Sequence, residues 1–501
     1  MPQILTPELH WLQKEIEVYA RGYGLDFFEV IFEVLDWEEI NEIAAYGGYP
    51  ARYPHWRFGM EYHALSRGYA YGLQKIYEMV INNDPCYAYL LAANPVVDQK
   101  LVMAHVYGHS DFFKNNYSFA HTNRKMVDEM ANHGSRIRRH MEAYGEDEVE
   151  DFLDRCLSLD NLIDYNAPHI RRRRRDEEQE EIDPDHPANK PRAQRLVAKE
   201  YMEEYINPKD TMEAEEKQLL EEREQDRQFP PRPEKDVLLF LLEHAPLANW
   251  QRDVLGIIRE EAYYFAPQGR TKIMNEGWAC FWHSTIMTQK ALEDSELIDY
   301  ADHHSGTVAT QPGRLNPYKV GLELFRDIEE RWDKGRHGAD WEACDNFEQR
   351  RSWDTGAGEG REKIFQVRSL YNDVMFIDEF LTPEFCLKHK LFVYHYNEST
   401  NQYEITDRSF EQIKKGLLFQ LTNFGQPWIF VRDANHLNRG ELVLRHRYEG
   451  VPVRYDYAHQ VLESLHTIWK RPVHLETYDE DKPIVLSYDG AEHKTEERSD
   501  D

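Results

Sequence analysis

Apolar residues recur at helical spacing through the first third of the chain. Leu12, Ile16, Tyr19 and Ala20 form one stripe, Phe27, Val30, Ile31, Val34 and Leu35 a second, and Gly47-Gly48-Tyr49-Pro50 interrupts the pattern. Asn94-Pro95 followed by Asp98 predicts a helix start, with an Asn cap, Pro at the first helical position and an acid in the first turn; that helix runs to Phe113. The helical pattern continues over 121–155, resumes at Val237–His244 and Trp250–Phe265, and includes the aromatic stretch Met274–Thr285. Near Lys388 the period changes to two. Phe392–Tyr396, Trp428–Val431, Glu441–Leu444, Val473–Glu476 and Pro483–Leu486 read as strands, with helices at Ser409–Phe424 and Tyr455–Trp469 between them.

The expected fold is a mainly α N-terminal domain followed by a C-terminal α+β domain with an antiparallel sheet. Residues 1–168 and 236–388 are expected to be two halves of the helical domain, and 389–488 the α+β domain. Between the halves, residues 169–235 form a charged linker or insertion, punctuated by Pro184, Pro187 and Pro191 and ending at Pro230-Pro231-Arg232-Pro233; only Leu219 and Leu220 could anchor a helix over Glu213–Arg227. The charged residues 489–501 are expected to be a disordered tail.

Net charge alters the choice of partners. With 91 acidic and 60 basic residues the chain carries −31, a field that repels nucleic-acid phosphates and anionic membranes. Arg171–Arg175 runs against that sign, but the acids from Asp176 to Glu181 largely cancel it, so no nucleic-acid partner is expected. No run is long enough for a membrane span, and the N-terminus lacks the basic and apolar regions of a signal peptide. Five scattered cysteines without a CxxC spacing fit reduced thiols in a cytoplasmic protein.

The candidate chemistry lies on two predicted helices. His105 and His109 are i and i+4 and point the same way; Glu276 and His283 are i and i+7 and share a stripe with Trp278, Phe281 and Trp282 nearby. Ionisable groups on buried stripes must be partnered, abnormally protonated or bound to metal. Two inward histidines with a carboxylate from a second helix are how helical zinc hydrolases build a three-ligand site, which would make the helical core zincin-like. The match is partial: Val106 replaces the usual general-base Glu, and Gly108 removes the inverted form of the motif. Two readings stay open. Either His105, His109, Glu276 and His283 hold zinc or another divalent metal, or they are core residues in a hydrogen-bonded network. In the first reading Glu276 itself, Glu260 (with Glu261) or His303 (with His304, in a polar turn) supplies acid–base catalysis. Glu260 and Glu261 also have ordinary ion-pair partners in Arg252, Arg259 and Arg270, and His133 is expected on a solvated, charged face.

Several long strings carry a family resemblance: YPHWRFG from Tyr53, VINNDPCYAYL from Val80, MAHVYGHSDFFKNNY from Met103, MNEGWACFWH from Met274 and NPYKVGLELFRDIEERW from Asn316. In that order they resemble the SpoVR family, the stage V sporulation protein R group. The resemblance implies a role in spore cortex formation or a related envelope or stress process, and as partners a PrkA-like serine kinase and a YeaH-like protein. It implies no catalytic residue. A regulatory or scaffold protein working with those partners therefore stands beside the metal-dependent hydrolase.

Overall fold

The computed structural model describes residues 5–70, 78–170 and 229–498, together with Pro208 and Met212. Most of the expected linker, with its arginine run and the Glu213–Arg227 segment, lies outside the described residues. The chain divides into two compact units, residues 1–150 with 263–426, and residues 151–262 with 427–501. The division at Gln426/Pro427 lies well beyond the change of period at Lys388.

The first unit is built on helices. In chain order α1 (Pro7–Gly22), α2 (Trp37–Ala45), α3 (Trp56–Ala70), α4 (Val96–Asn115) and α5 (Met126–Tyr144) precede α6 (Glu146–Leu157), in which the units divide. The second unit contains α7 (Val237–His244), and the units divide again within α8 (Asn249–Arg270). The first unit continues with α9 (Lys272–Ile286), α10 (Leu297–Thr307), α11 (Pro317–Asp333), α12 (Gly360–Leu370), α13 (Asp373–Phe380), α14 (Pro383–His389) and α15 (Phe410–Leu421). Two single-turn helices, Ala339–Glu342 and Phe347–Arg351, lie between α11 and α12.

The apolar stripe Phe27–Leu35 fits two periods, and it forms a strand. β1 (Val30–Leu35) pairs in parallel with β3 (Cys86–Leu91), which pairs antiparallel with β2 (Glu78–Ile81). Val30, Phe32 and Val34 alternate into the core, and the β-branched content of Val-Ile-Phe-Glu-Val-Leu favours the extended form. Asp302–Gly306, expected as a turn, is helical within α10, which ends only at Thr307. His133 is fully buried on α5 instead of solvated, with its Nε2 3.6 Å from Glu129.

The centre of this unit is α9, which packs along α4 on one side and α11 on the other. Both contacts are close. A Cβ at Gly108 on α4 would lie 2.9 Å from Ala279 Cα, and one at Gly277 would lie 2.4 Å from Gly321 Cα on α11. Glycine at these points lets backbones meet where larger residues would hold the helices apart. The surrounding core is aromatic: Trp278 packs against Trp282, Phe325 and Phe365, the last three at centroid separations of 5.6, 5.2 and 5.2 Å. The hairpin β4 (Val393–Asn397) and β5 (Gln402–Asp407) also belongs to this unit and, among the described residues, pairs only with itself.

The second unit contains a five-stranded sheet ordered β10-β9-β8-β7-β6, from β6 (Trp428–His436), β7 (Glu441–Arg447), β8 (Val473–Asp479), β9 (Lys482–Tyr488) and β10 (His493–Glu497). The sheet is mixed, not purely antiparallel, because β7 and β8 run parallel. Helix α16 (Tyr455–Trp469) is the connection that a parallel pair requires. Strand β10 occupies part of the expected tail: its charged residues are exposed, and its backbone completes the ladder with β9.

Candidate functional site

Helix α4 begins at Val96 with Pro95 as its cap residue, and it is buried over almost its whole length. His105 and His109 therefore face protein, at 3% and 4% exposure. Helix α9 is anchored at its start by Asp373 of α13, whose carboxylate accepts from Ile273 N–H at 2.8 Å and Met274 N–H at 2.9 Å. These are helix-terminal donors without an intrahelical acceptor, and a carboxylate there also complements the helix dipole. Burial pushes the Asp373 carboxyl up to about 7, against the opposing effect of those two N–H groups and Lys272.

The anchored turn carries Lys272, Asn275 and Glu276 toward α4. Glu276 Oε1 accepts from Lys272 Nζ at 2.5 Å. Its second oxygen, Oε2, is buried, accepts no hydrogen bond, and lies 3.6 Å from His105 Nε2 and 3.4 Å from His109 Nε2. Burial alone would raise the Glu276 carboxyl, but His105, His109 and the Lys272 charge outweigh it and hold the group well below the usual carboxylate range. It is a buried carboxylate anion.

Each imidazole is oriented from behind. His109 Nδ1 is 2.9 Å from Asn275 Oδ1, an acceptor, so Nδ1 carries a proton and Nε2 faces Glu276. His105 Nδ1 is 2.8 Å from His283 Nδ1, and His283 Nε2 is 3.1 Å from His304 Nδ1. Burial, followed by the charges of His105, His304 and Arg326, holds His283 well below its ordinary value, so it is neutral. Burial and Arg326 lower His304 in the same way. The Tyr318 ring stacks 6.3 Å from His105, and Lys272 lies 5.9 Å from the same ring.

The donor geometry can be tested against a cation. Tetrahedral zinc with arms of ~2.0–2.1 Å separates its ligand atoms by roughly 3.3–3.4 Å. The observed 3.4 and 3.6 Å approach that edge, and all three donor atoms lie within 4.8 Å of one another. The residues fit: two imidazole Nε2 atoms, one buried carboxylate oxygen, and an outer hydrogen bond behind each histidine.

The structure thus brings together His105, His109, Glu276 and His283, with His283 behind His105 and not at the point where the other three converge. His303 turns aside to pair with the buried Asp98, and its neighbour His304 meets His283. Glu260 is exposed on α8 in the second unit, and Glu261 is buried there. Asn275, Lys272, Tyr318 and Cys280 were not singled out from the sequence; Asn275 directly precedes Glu276, and Cys280 falls at i+4 from it, the spacing used for the histidines. Val106 is fully buried in the apolar core, so no carboxylate stands where a helical zinc hydrolase has its base.

A family profile described as SpoVR like protein matches residues 4–426, and one described as SpoVR-like C-terminal domain matches 427–480. The junction between them coincides with the division of the structure at Gln426/Pro427. The uncharacterized protein YcgB of Escherichia coli (strain K12) is 31% identical over 502 residues, covering 94% of this chain and 92% of that protein. No solved structure matches.

Proposed function

The chain belongs to the SpoVR family, and from that premise we propose that it is a metal-dependent hydrolase in which His105, His109 and Glu276 hold one divalent cation, zinc by default. The observation that carries this reading is Glu276 Oε2, a buried anionic oxygen that makes no hydrogen bond of normal geometry and has two imidazole Nε2 atoms at ligand-to-ligand distance. Left in that state, a buried acceptor costs about 1–3 kcal/mol, and more for a charge. A cation removes the deficit.

When bound, such a cation supplies Lewis acidity toward water or a carbonyl or phosphoryl oxygen. The protein's own residues do the remainder. Asn275 keeps a proton on His109 Nδ1, and His283 orients the His105 ring. Lys272 holds Oε1, so Glu276 offers one oxygen and stays ionised. With Glu276 acting as a ligand, proton transfer falls to a group beside the cluster, and Lys272 and Tyr318 are the polar side chains flanking it. The expected process is the family's, spore cortex formation or a related envelope or stress function, with a PrkA-like kinase and a YeaH-like protein as partners.

The test is elemental analysis of the native protein and of Glu276→Gln and His109→Ala, with circular dichroism as the fold control. Bound metal in the wild type that is lost in both folded variants supports the site. A metal-free wild type, or Glu276→Gln with undiminished metal and biological activity, overturns the hydrolase and leaves a regulatory scaffold with a buried polar network.

A further inference from the structure

The donor stripe on α9 does not end at Glu276. Cys280 and His283 follow at i+4 and i+7, and Cys280 Sγ, His283 and His105 offer a second set of donor atoms within 4.8 Å of one another. All three residues are buried, at 0%, 1% and 3% exposure. This differs from the setting of the other buried cysteines. Cys86 donates to the Ile81 carbonyl at 3.1 Å, and burial raises the Cys86, Cys156 and Cys386 thiols. Among the described residues Cys280 is the cysteine that has two imidazoles within ligating reach.

We propose a second cation position, one turn along α9 from the first, formed by Cys280 Sγ, His283 Nδ1 and His105 Nδ1, with the His105 ring shared between the two. The proposal rests on the three-ligand reading above, since His105 Nε2 is committed there. His105 presents its two nitrogens to different donor sets: Nε2 faces Glu276 at 3.6 Å, and Nδ1 faces His283 Nδ1 at 2.8 Å. That second separation is about half an ångström short of a ligand-to-ligand edge. A cation entering there parts the rings by that amount and takes the place of their shared proton; this proton and the thiol proton leave to solvent, and His105, deprotonated at both nitrogens, bridges the two positions as an imidazolate. His283 keeps its outer partner, because Nε2 still meets His304. The donor types differ between the positions. The His109 imidazole, the Glu276 carboxylate and the His105 imidazolate form the first; the Cys280 thiolate, the His283 imidazole and the same imidazolate form the second, a softer set that suits zinc, iron or cuprous copper.

Cobalt(II) distinguishes the two positions, because only a thiolate ligand gives an intense sulfur-to-cobalt charge-transfer band in the near ultraviolet. Full-length metal-free protein is loaded with cobalt(II), desalted, and read by elemental analysis and absorption, with circular dichroism to check the fold. The expected result is two cobalt ions per chain with the sulfur band. Cys280→Ser and the apolar Cys280→Ala should each fall to one ion and lose the band. Glu276→Gln should lose the other ion and keep the band. One ion per chain without the band, unchanged in Cys280→Ala, overturns the second position and leaves the first standing. No cobalt in the wild type overturns both.

Discussion

Replacing Gly108 by alanine tests whether the donor cluster depends on how closely α4 and α9 approach. The new Cβ would lie 2.9 Å from Ala279 Cα and 3.5 Å from Ala279 Cβ. Carbon atoms pack at about 3.5–4.0 Å, so the helices must part by roughly 0.6 Å or more at a point between His105 and His109. Overpacking of this kind costs ~1–3 kcal/mol, while alanine in a helix interior returns ~0.5–1 kcal/mol over glycine. The net expectation is a folded protein destabilised by about 0–2.5 kcal/mol. Metal–ligand distances tolerate only about ±0.2 Å, so bound metal should fall far more than stability does. Denaturant unfolding measures the first quantity and elemental analysis the second. Gly59→Ala on α3 is the control, since nothing lies within 4 Å of its new Cβ; it should gain stability and keep its metal. A Gly108→Ala protein with wild-type midpoint and wild-type metal content would show that the close approach does not set the cluster.

Two further outcomes follow from the same geometry. Asn275→Ala removes the acceptor that fixes His109 Nδ1; metal affinity, measured by competition with a chelator, should weaken by about 10–100-fold, and an unchanged affinity would mean that His109 is oriented otherwise. Burial raises the folded value of Asp373 to about 7, above its ordinary 3.8. Its proton is therefore held by the folded state and lost by the unfolded one in between, and stability falls as pH rises through that window, by roughly 4 kcal/mol at most. Asp373→Asn should flatten part of this fall; Asp111, raised to about 6 by burial, accounts for a further part. An unaltered pH profile of unfolding would refute the assignment.

The donor cluster was legible because helical periodicity places i, i+4 and i+7 on one face, and because ionisable residues inside apolar helices are conspicuous. His105, His109, Glu276 and His283 satisfy both conditions. Their division of labour was not legible: whether His283 faces Glu276 or stands behind His105 depends on the relative height of α4 and α9, which the Gly108–Ala279 contact sets. The C-terminal elements were clear from alternation, with α16 at the expected Tyr455–Trp469. The parallel pairing of β7 with β8 was not, since strand direction is decided by the connection and not by the strand's own pattern. At Phe27–Leu35 the apolar residues satisfy both periods, and only pairing with β3 decides for the strand. His133 illustrates the opposite failure: surrounded in sequence by charges, it lies on the inner face of α5, and neighbours in sequence do not report on that face.

Where Gly277 meets Gly321, no side chain stands between α9 and α11. A Cβ on Gly321 would come within 2.1 Å of the Ile273 carbonyl. Two helices that touch backbone to backbone at one point have one seating there. Sliding α9 by a single residue would bring Glu276 or Trp278 against the α11 backbone, where there is no room for either. A local rearrangement of α9 therefore cannot trade one donor for another along the stripe. The protein can give up the whole register of donors by undocking the helix, but it cannot adjust that register by degrees, which makes the helix interface behave as a ratchet with one notch.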